Sequence, residues 1–390
     1  MIRDCDVVVV GLGGFGAAAL FHLAARGLSI VGVEAHGIPH DQGSSTGETR
    51  VIRKAYFEDA RYVPLLQRAY ALWAELADVV DASLCGPLFQ RAGCLTFGPP
   101  GHTAVVGVQA AAREHALAHE VLDEHAIAKR FPALKPNPGD VGVFEAEAGF
   151  LHVERCTTAH VDGARRRGAV ILCPARVTAL RPGPEHVDVD VDEGTTLRAR
   201  SVVLAAGPWL AADPVLRAFA GATPLVVERQ VQLWFEPAVR ASCAVPALPC
   251  FIHFGARGTF YAIPGREDDG ALKACRHHGG TLTTPANVDR RVSAADVDDV
   301  RTFLRAHLPV ADGEPLRSKV CLYTNTPDEN FLVGPSPSSS RVIVVGGCSG
   351  HGYKMASVLG EIAADLVVDG GSPFDLGLFD PHRFGPAASR

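Results

Sequence analysis

The apolar residues of the chain gather into short β-branched runs separated by helical stretches, and three such alternations stand out. In residues 6–34 the run DVVVVG leads into the glycine turn and helical pattern GLGGFGAAALFHLAARG, then into a second buried run, SIVGVE. The first run reads as a short β-branched strand and the second as a buried strand, a βαβ-like unit. Residues 157–204 repeat the theme with a helical segment ending in GARRRG, the run AVIL, a polar hairpin-like region and SVVLAAG. Residues 341–369 close the series with the strand RVIVVGG, the loop CSGHGYK and the helix MASVLGEIAADLVVDG.

The stretches between them have a different texture. Residues 85–148 mix short strands with helical pieces, of which EVLDEHAIAKRF is one. Residues 224–320 alternate in VVERQVQLWFEP and GTFYAIP and contain one well-marked helix. Ser293 and Asp296 have the spacing of a capping box there, followed by Val297, Val300, Phe303, Leu304 and Leu308 at helical period. No internal repeat or low-complexity linker interrupts the chain. The expected fold is α/β with an α+β portion. A Rossmann-type dinucleotide-binding domain is assembled from 1–84, 149–223 and 325–390, and a mainly antiparallel substrate domain, 85–148 and 224–324, is inserted in two pieces.

Composition narrows the function classes. The net charge of −6 is spread over 390 residues without a basic stripe or an acidic tail, so nucleic acid and anionic membrane are not expected partners. The start, Met1 to Asp6, lacks the layout of a signal peptide, and no apolar run reaches the roughly 18 residues of a membrane span. Ala388-Ser389-Arg390 is not a peroxisomal address. A cytoplasmic protein is expected. The ten cysteines are scattered and none has Cys-x-x-Cys spacing, so neither a disulfide framework nor a metal site is expected. Each cysteine reads first as a small buried apolar residue.

Gly11, Gly13 and Gly16 form GxGxxG between a strand and a helix. The first allows a tight turn, the second lets the backbone approach a pyrophosphate, and the third lets helix and strand pack closely. Glu34, 23 residues after Gly11, is placed to accept from a ribose hydroxyl. The motif implies a dinucleotide and does not separate NAD from FAD.

That choice comes from a resemblance. GSSTGETRVIRKAY (43–56), VVLAAGPWL (202–210), ALKACRH (271–277), CLYTNTPDENF (321–331) and GGCSGHGYK (346–354) occur in the order found in monomeric sarcosine oxidase and N-methyltryptophan oxidase. The chain is thus similar to the D-amino-acid-oxidase-like flavoproteins over nearly its whole length. The resemblance implies FAD, a two-domain architecture and oxidation of an amino acid at its C–N bond.

It also implies roles for particular residues. Arg53 and Lys354 would share the substrate carboxylate, and Arg50 would lie close to the flavin ring beside Ser44. Without the resemblance, Arg50 and Arg53 read as a solvated basic helix start, although a guanidinium can grip a carboxylate through two parallel bonds. Gly347, Gly350 and Gly352 suit a ligand crowded by backbone N–H groups at a helix N-terminus. His351 there either orients substrate or is a satisfied loop histidine. Cys321 matches the cysteine joined to the flavin 8α carbon, with Tyr323 beside it; Tyr261, Lys273 and His277 match a third active-site strand. Lys273 alone would pass for a lysine on the surface of an edge strand.

The chain departs from sarcosine oxidase at Arg266, Glu267, Asp268 and Asp269, at Lys54, and at Ser45-Thr46. These departures bear on the substrate rather than on the flavin machinery. The expected activity is oxidation of a secondary, N-methylated or cyclic, L-amino acid to the imine, with O2 reduced to H2O2, by a monomer. A dehydrogenase using another acceptor, and a flavin-binding module without turnover, are the alternatives. Peroxide formation with air as sole acceptor separates the first, and anaerobic bleaching by an added amine separates the second.

Overall fold

The structure is a computed structural model and describes residues 2–80, 86–266 and 269–385. Cys85, Glu267, Asp268 and the last three residues lie outside the described residues.

The first sheet has eight strands. Val170–Leu172, Ile30–Val33, Ile2–Val10, Thr195–Leu204 and Ser339–Gly346 lie side by side and parallel. The long strand Thr195–Leu204 is shared. Its first half pairs antiparallel with Val187–Val191, and its second half pairs parallel with Ser339–Gly346. The apolar run of the first strand is covered on both faces: Val7 and Val9 pack into one cluster, Val8 and Val10 into another on the opposite face. Helix Gly14–Ala25 packs between Val153–Arg165 and Ala356–Val368. Gly16 permits this entry, since a Cβ there would stand 1.7 Å from the Gly11 carbonyl oxygen.

The second sheet has nine strands drawn from 94–145 and 226–325, antiparallel except where Cys250–Gly255 runs parallel to Cys94–Gly98. Helix Ala294–His307 packs against it through Val300, Phe303 and Leu304, and starts at the expected capping box of Ser293 and Asp296. The segment EVLDEHAIAKRF is helical only in part. Glu120–Asp123 is a strand paired with Val141–Glu145, and the helix begins at Glu124, where the Asp123 carboxylate accepts from Ala126 N at 2.8 Å. Aspartate at an N-cap competes with helix on its own N-terminal side.

Thr49–Ile52, Gly149–His152 and Phe89–Arg91 form a small third sheet, with Gly149–His152 at its centre. The solvated helix start that Arg50 and Arg53 would suggest without the resemblance is thus ruled out: Arg50 lies in a strand, and Arg53 just beyond it is buried at 2 % exposure. Among the described residues no helix is long and apolar enough to cross a membrane, and the nine described cysteines are all free thiols.

Candidate active site

The glycine turn opens onto a long cleft that runs from Glu34 and His36 past the glycine turn to Tyr323 and Tyr353. Gly11, Gly13, Glu34, Ser44, Arg50, Gly347, Gly350 and Gly352 all line it. Glu34 is fixed by accepting from Leu12 N at 2.8 Å and His36 N at 2.9 Å. Ser45 Oγ accepts from Gly14 N at 2.9 Å, and Ser44 Oγ donates to the Leu322 carbonyl at 2.5 Å. The loop before Arg50 is thus stitched to the helix start on one side and to the strand Pro315–Asn325 on the other. Gly350, with φ +80°, lies so close to Tyr323 that a Cβ would stand 2.3 Å from its ring, so only glycine lets the loop backbone pass the ring here. A glycine-cradled slot with a buried acid at one end fits FAD.

A second cavity adjoins the cleft. Arg50, Tyr323, Gly350 and Tyr353 line both. Arg53, Tyr261, His277, His351 and Lys354 line only the second, together with Val51, Phe57, Glu58, Ile252 and Phe254.

Its cations are held in place. Arg53 donates through Nη1 to the Ala55 carbonyl and through Nη2 to Glu58 at 3.5 Å, with its guanidinium 4.6 Å from the Tyr56 ring centroid. The turn that follows Arg53 is set by Glu145, which accepts from Lys54 N and Ala55 N at 3.0 and 2.8 Å. Lys354 Nζ donates to the His351 carbonyl at 2.6 Å and to Tyr56 Oη at 3.2 Å. Burial, helped by the neighbouring Arg53, pushes the Lys354 ammonium down to about 7.

The imidazoles are neutral. Burial brings His351 down to about 4 and holds His277 well below the usual histidine range. His351 Nε2 faces the Glu329 carbonyl at 2.9 Å, which requires the proton there, so Nδ1 accepts from Tyr56 Oη at 2.6 Å. His277 Nδ1 lies 3.0 Å from Tyr323 Oη. Burial also keeps the Tyr261 and Tyr323 phenols protonated.

Among the described residues, Cys321 and Lys273 line neither cavity; they flank Arg50. Cys321 Sγ is 3.9 Å from Arg50 Nη2, and burial pushes its thiol up against the pull of Arg50 and Lys273. Lys273 is 1 % exposed, not a surface lysine. Its Nζ donates to the carbonyls of Gly47 and Thr49 at 2.7 and 3.0 Å, and burial together with Arg50 pushes it down to about 7. Arg50 itself donates to the Thr49 and Ser44 carbonyls and reaches the Gln232 amide, oriented to accept, at 3.1 and 3.3 Å.

Sequence reasoning missed Tyr56, Phe57, Glu58, Glu145, Gln232, Ile252 and Phe254. The first three lie three to five residues after Arg53 in RKAYFE, so proximity to a candidate cation was an available signal. Ile252 and Phe254 sit on one face of an apolar strand and carry no chemical mark.

The comparisons with known proteins agree with this geometry. Residues 6–366 match the family described as FAD dependent oxidoreductase. The chain is 36 % identical to the monomeric sarcosine oxidase of Streptomyces avermitilis over 386 residues, 98 % of each chain. It is 35 % identical to the N-methyl-L-tryptophan oxidase of Yersinia pestis over 384 residues, 98 % of this chain and 100 % of the other. In fold it is similar to the L-proline dehydrogenase of P. horikoshii (TM-score 0.84, 20 % identity, 98 % of both chains). The amino acid oxidase NikD is similar too (TM-score 0.82, 24 % identity, 97 % of this chain and 98 % of that one). The family match over nearly the whole chain, the two curated relatives and the glycine-cradled cleft lead to one conclusion: this chain belongs to the FAD-dependent oxidoreductases.

Proposed function

We propose that the chain oxidises a secondary L-amino acid, N-methylated or cyclic, to the imine, with O2 reduced to H2O2. The observation that carries this reading is the pairing of two cations, Arg53 and Lys354, in a cavity whose wall is shared with the dinucleotide cleft. A substrate carboxylate accepts from the Arg53 guanidinium and draws a proton onto Lys354 Nζ, since an anion nearby favours the charged ammonium. Glu58 is the anion that now faces Arg53, and the incoming carboxylate takes over its place. Fixing the carboxylate at one end leaves the C–N unit directed at the shared wall of Tyr323 and Gly350, and orientation of this kind supplies much of the rate. Neutral His277 and His351 and the protonated phenols add no further charge beside the amine.

FAD, when bound, supplies the chemistry by accepting the hydride from the substrate carbon and passing the electrons on to oxygen. Cys321 would tether it through sulfur, with Arg50 holding the thiol's side of the site, and Lys273 would provide the cation for the oxygen step. The same reading assigns 1–84, 149–223 and 325–390 to the cofactor domain and 85–148 and 224–324 to the substrate domain. The division of strands between the two large sheets supports it.

The test is peroxide release in air from the flavin-loaded protein against sarcosine, N-methyltryptophan, pipecolate and proline. Reduction of the flavin by one of these under argon, with no peroxide in air, would favour a dehydrogenase. No reduction by any amine would sink the enzymatic reading.

A further inference from the structure

Behind the substrate cavity lies a carboxylate that the chemistry above does not use. Glu228 belongs to the strand Val226–Phe235, where it stands opposite Tyr323 on one side and Leu282 on the other. It is 5 % exposed. Oε1 accepts from Gly280 N at 2.6 Å; Oε2 accepts from Asn325 Nδ2 at 2.8 Å and lies 3.4 Å from His278 Nδ1.

These partners are not scattered. His278 to Gly280 form the turn that follows His277, and Asn325 ends the strand that carries Tyr323. One carboxylate therefore ties together the ends of the two strands whose side chains meet in the cavity as the pair His277 Nδ1 and Tyr323 Oη. The His277 and His278 rings lie 4.2 Å apart, and His278 is 5.3 Å from Tyr323. His278 has φ +61°, a left-handed conformation that a residue with a side chain leaves unless held. Gly280 presses onto the same strand, since a Cβ there would stand 1.8 Å from the Arg229 carbonyl oxygen. The backbone ladder already joins the sheet. What a buried carboxylate adds, against its cost of desolvation, is a fixed turn.

We infer that Glu228 is a positioning residue for the substrate cavity: by gripping the turn after His277 and the strand end after Tyr323, it keeps the His277–Tyr323 pair closed against the substrate. Among the described residues lining that cavity are His277 and Tyr323 but not Glu228 or His278, so the carboxylate acts through the pair. The inference rests on reading that cavity as the substrate site.

A double-mutant cycle tests it on the flavin-loaded protein. Benzoate is the probe, followed by the visible spectrum of the flavin, alongside kcat/KM for whichever amino acid is oxidised. Thermal unfolding checks that each variant is folded. Glu228→Ala should weaken benzoate binding and lower kcat/KM about tenfold or more, the scale of a lost charged hydrogen bond. Glu228→Gln, which still accepts from Gly280 N, should restore most of the loss. In a Tyr323→Phe background Glu228→Ala should add little, because the pair it positions is already broken. Losses that add in full, or a Glu228→Ala protein that binds benzoate like the wild type, would overturn the inference. Benzoate binding without amine oxidation in the wild type would remove the proposed function and leave the cycle to decide this point. Neither binding nor turnover would remove both.

Discussion

Glu58 Oε2 lies 3.5 Å from Arg53 Nη2 in the cavity that Arg53 and Lys354 line, so the protein's own carboxylate faces the group proposed to receive the substrate's. The separation is long for a hydrogen bond, and Arg53 Nε has no partner, so the guanidinium keeps capacity for a better acceptor. Glu58→Gln removes the competing charge. Benzoate should bind to this variant about threefold more tightly, in line with a weak ion pair, as read from the flavin spectrum. Unchanged or weaker binding would mean that Glu58 helps hold Arg53 in place instead of competing with the ligand.

The two cations should be separable from the rest of the site. Arg53→Ala or Lys354→Ala should each cost about 1.5–3 kcal/mol in binding of a carboxylate substrate. Amines without a carboxylate should be poor substrates of the wild type and lose less on mutation. Equal losses for acids and simple amines, measured as kcat/KM, would take these residues out of the clamp.

Lys354 gives that clamp a pH dependence. Its ammonium is pushed down to about 7 from an ordinary lysine value of 10.5, so the cation is present below about 7 and is lost as the pH rises through it. Benzoate stays ionised throughout, and Arg53 stays charged. Binding should therefore weaken by about tenfold between about pH 6 and about pH 9 without disappearing. Lys273 is pushed to the same region, so the control is Lys354→Met, in which this dependence should vanish.

Cys321 has one decisive experiment. Acid-precipitated, denatured protein should stay yellow, and Cys321→Ala should release its FAD into the supernatant. Colour lost from denatured wild-type protein would leave Cys321 as a buried thiol next to Arg50.

Lys273 should act on one half-reaction only. A cation close to the place where oxygen gains negative charge stabilises that charge, and more strongly where water is scarce. Lys273→Met should slow reoxidation of the reduced protein by oxygen by orders of magnitude while anaerobic reduction by substrate changes far less. Stopped-flow absorbance measures both. Its bonds to the Gly47 and Thr49 carbonyls set the competing outcome. If Lys273 only braces the turn before Arg50, both half-reactions should fall together.

The sequence made the cofactor half of the molecule easier to read than the substrate half, for physical reasons. GxGxxG, Glu34 and the short β-branched strands are local patterns, and each carries its meaning within thirty-odd residues. The cavity that holds Arg53 is assembled from three stretches between Arg50 and Lys354, with Ile252 and Phe254 facing it from a strand of the second sheet. Nothing in the apolar alternation of that strand says which face looks into a site. Arg53 misled in another way. Arg-x-x-Arg fits a solvated helix start, and the partners that let the guanidinium be buried, the Ala55 carbonyl, the Tyr56 ring and Glu58, depend on a turn that distant Glu145 sets through Lys54 N and Ala55 N. In EVLD a helical period extended through residues that pair as a strand, because tertiary pairing with Val141–Glu145 outweighed propensity.

The wall that the two cavities have in common, Arg50, Tyr323, Gly350 and Tyr353, also divides the molecule for evolution. A substitution in that wall alters the seat of the redox group and the shape offered to the amino acid at once, so it is under two demands. Val51, Phe57, Ile252 and Phe254 line only the outer cavity and answer to one. On the proposed function, new side-chain preferences would arise at those four positions while the electron-transfer machinery is inherited unaltered.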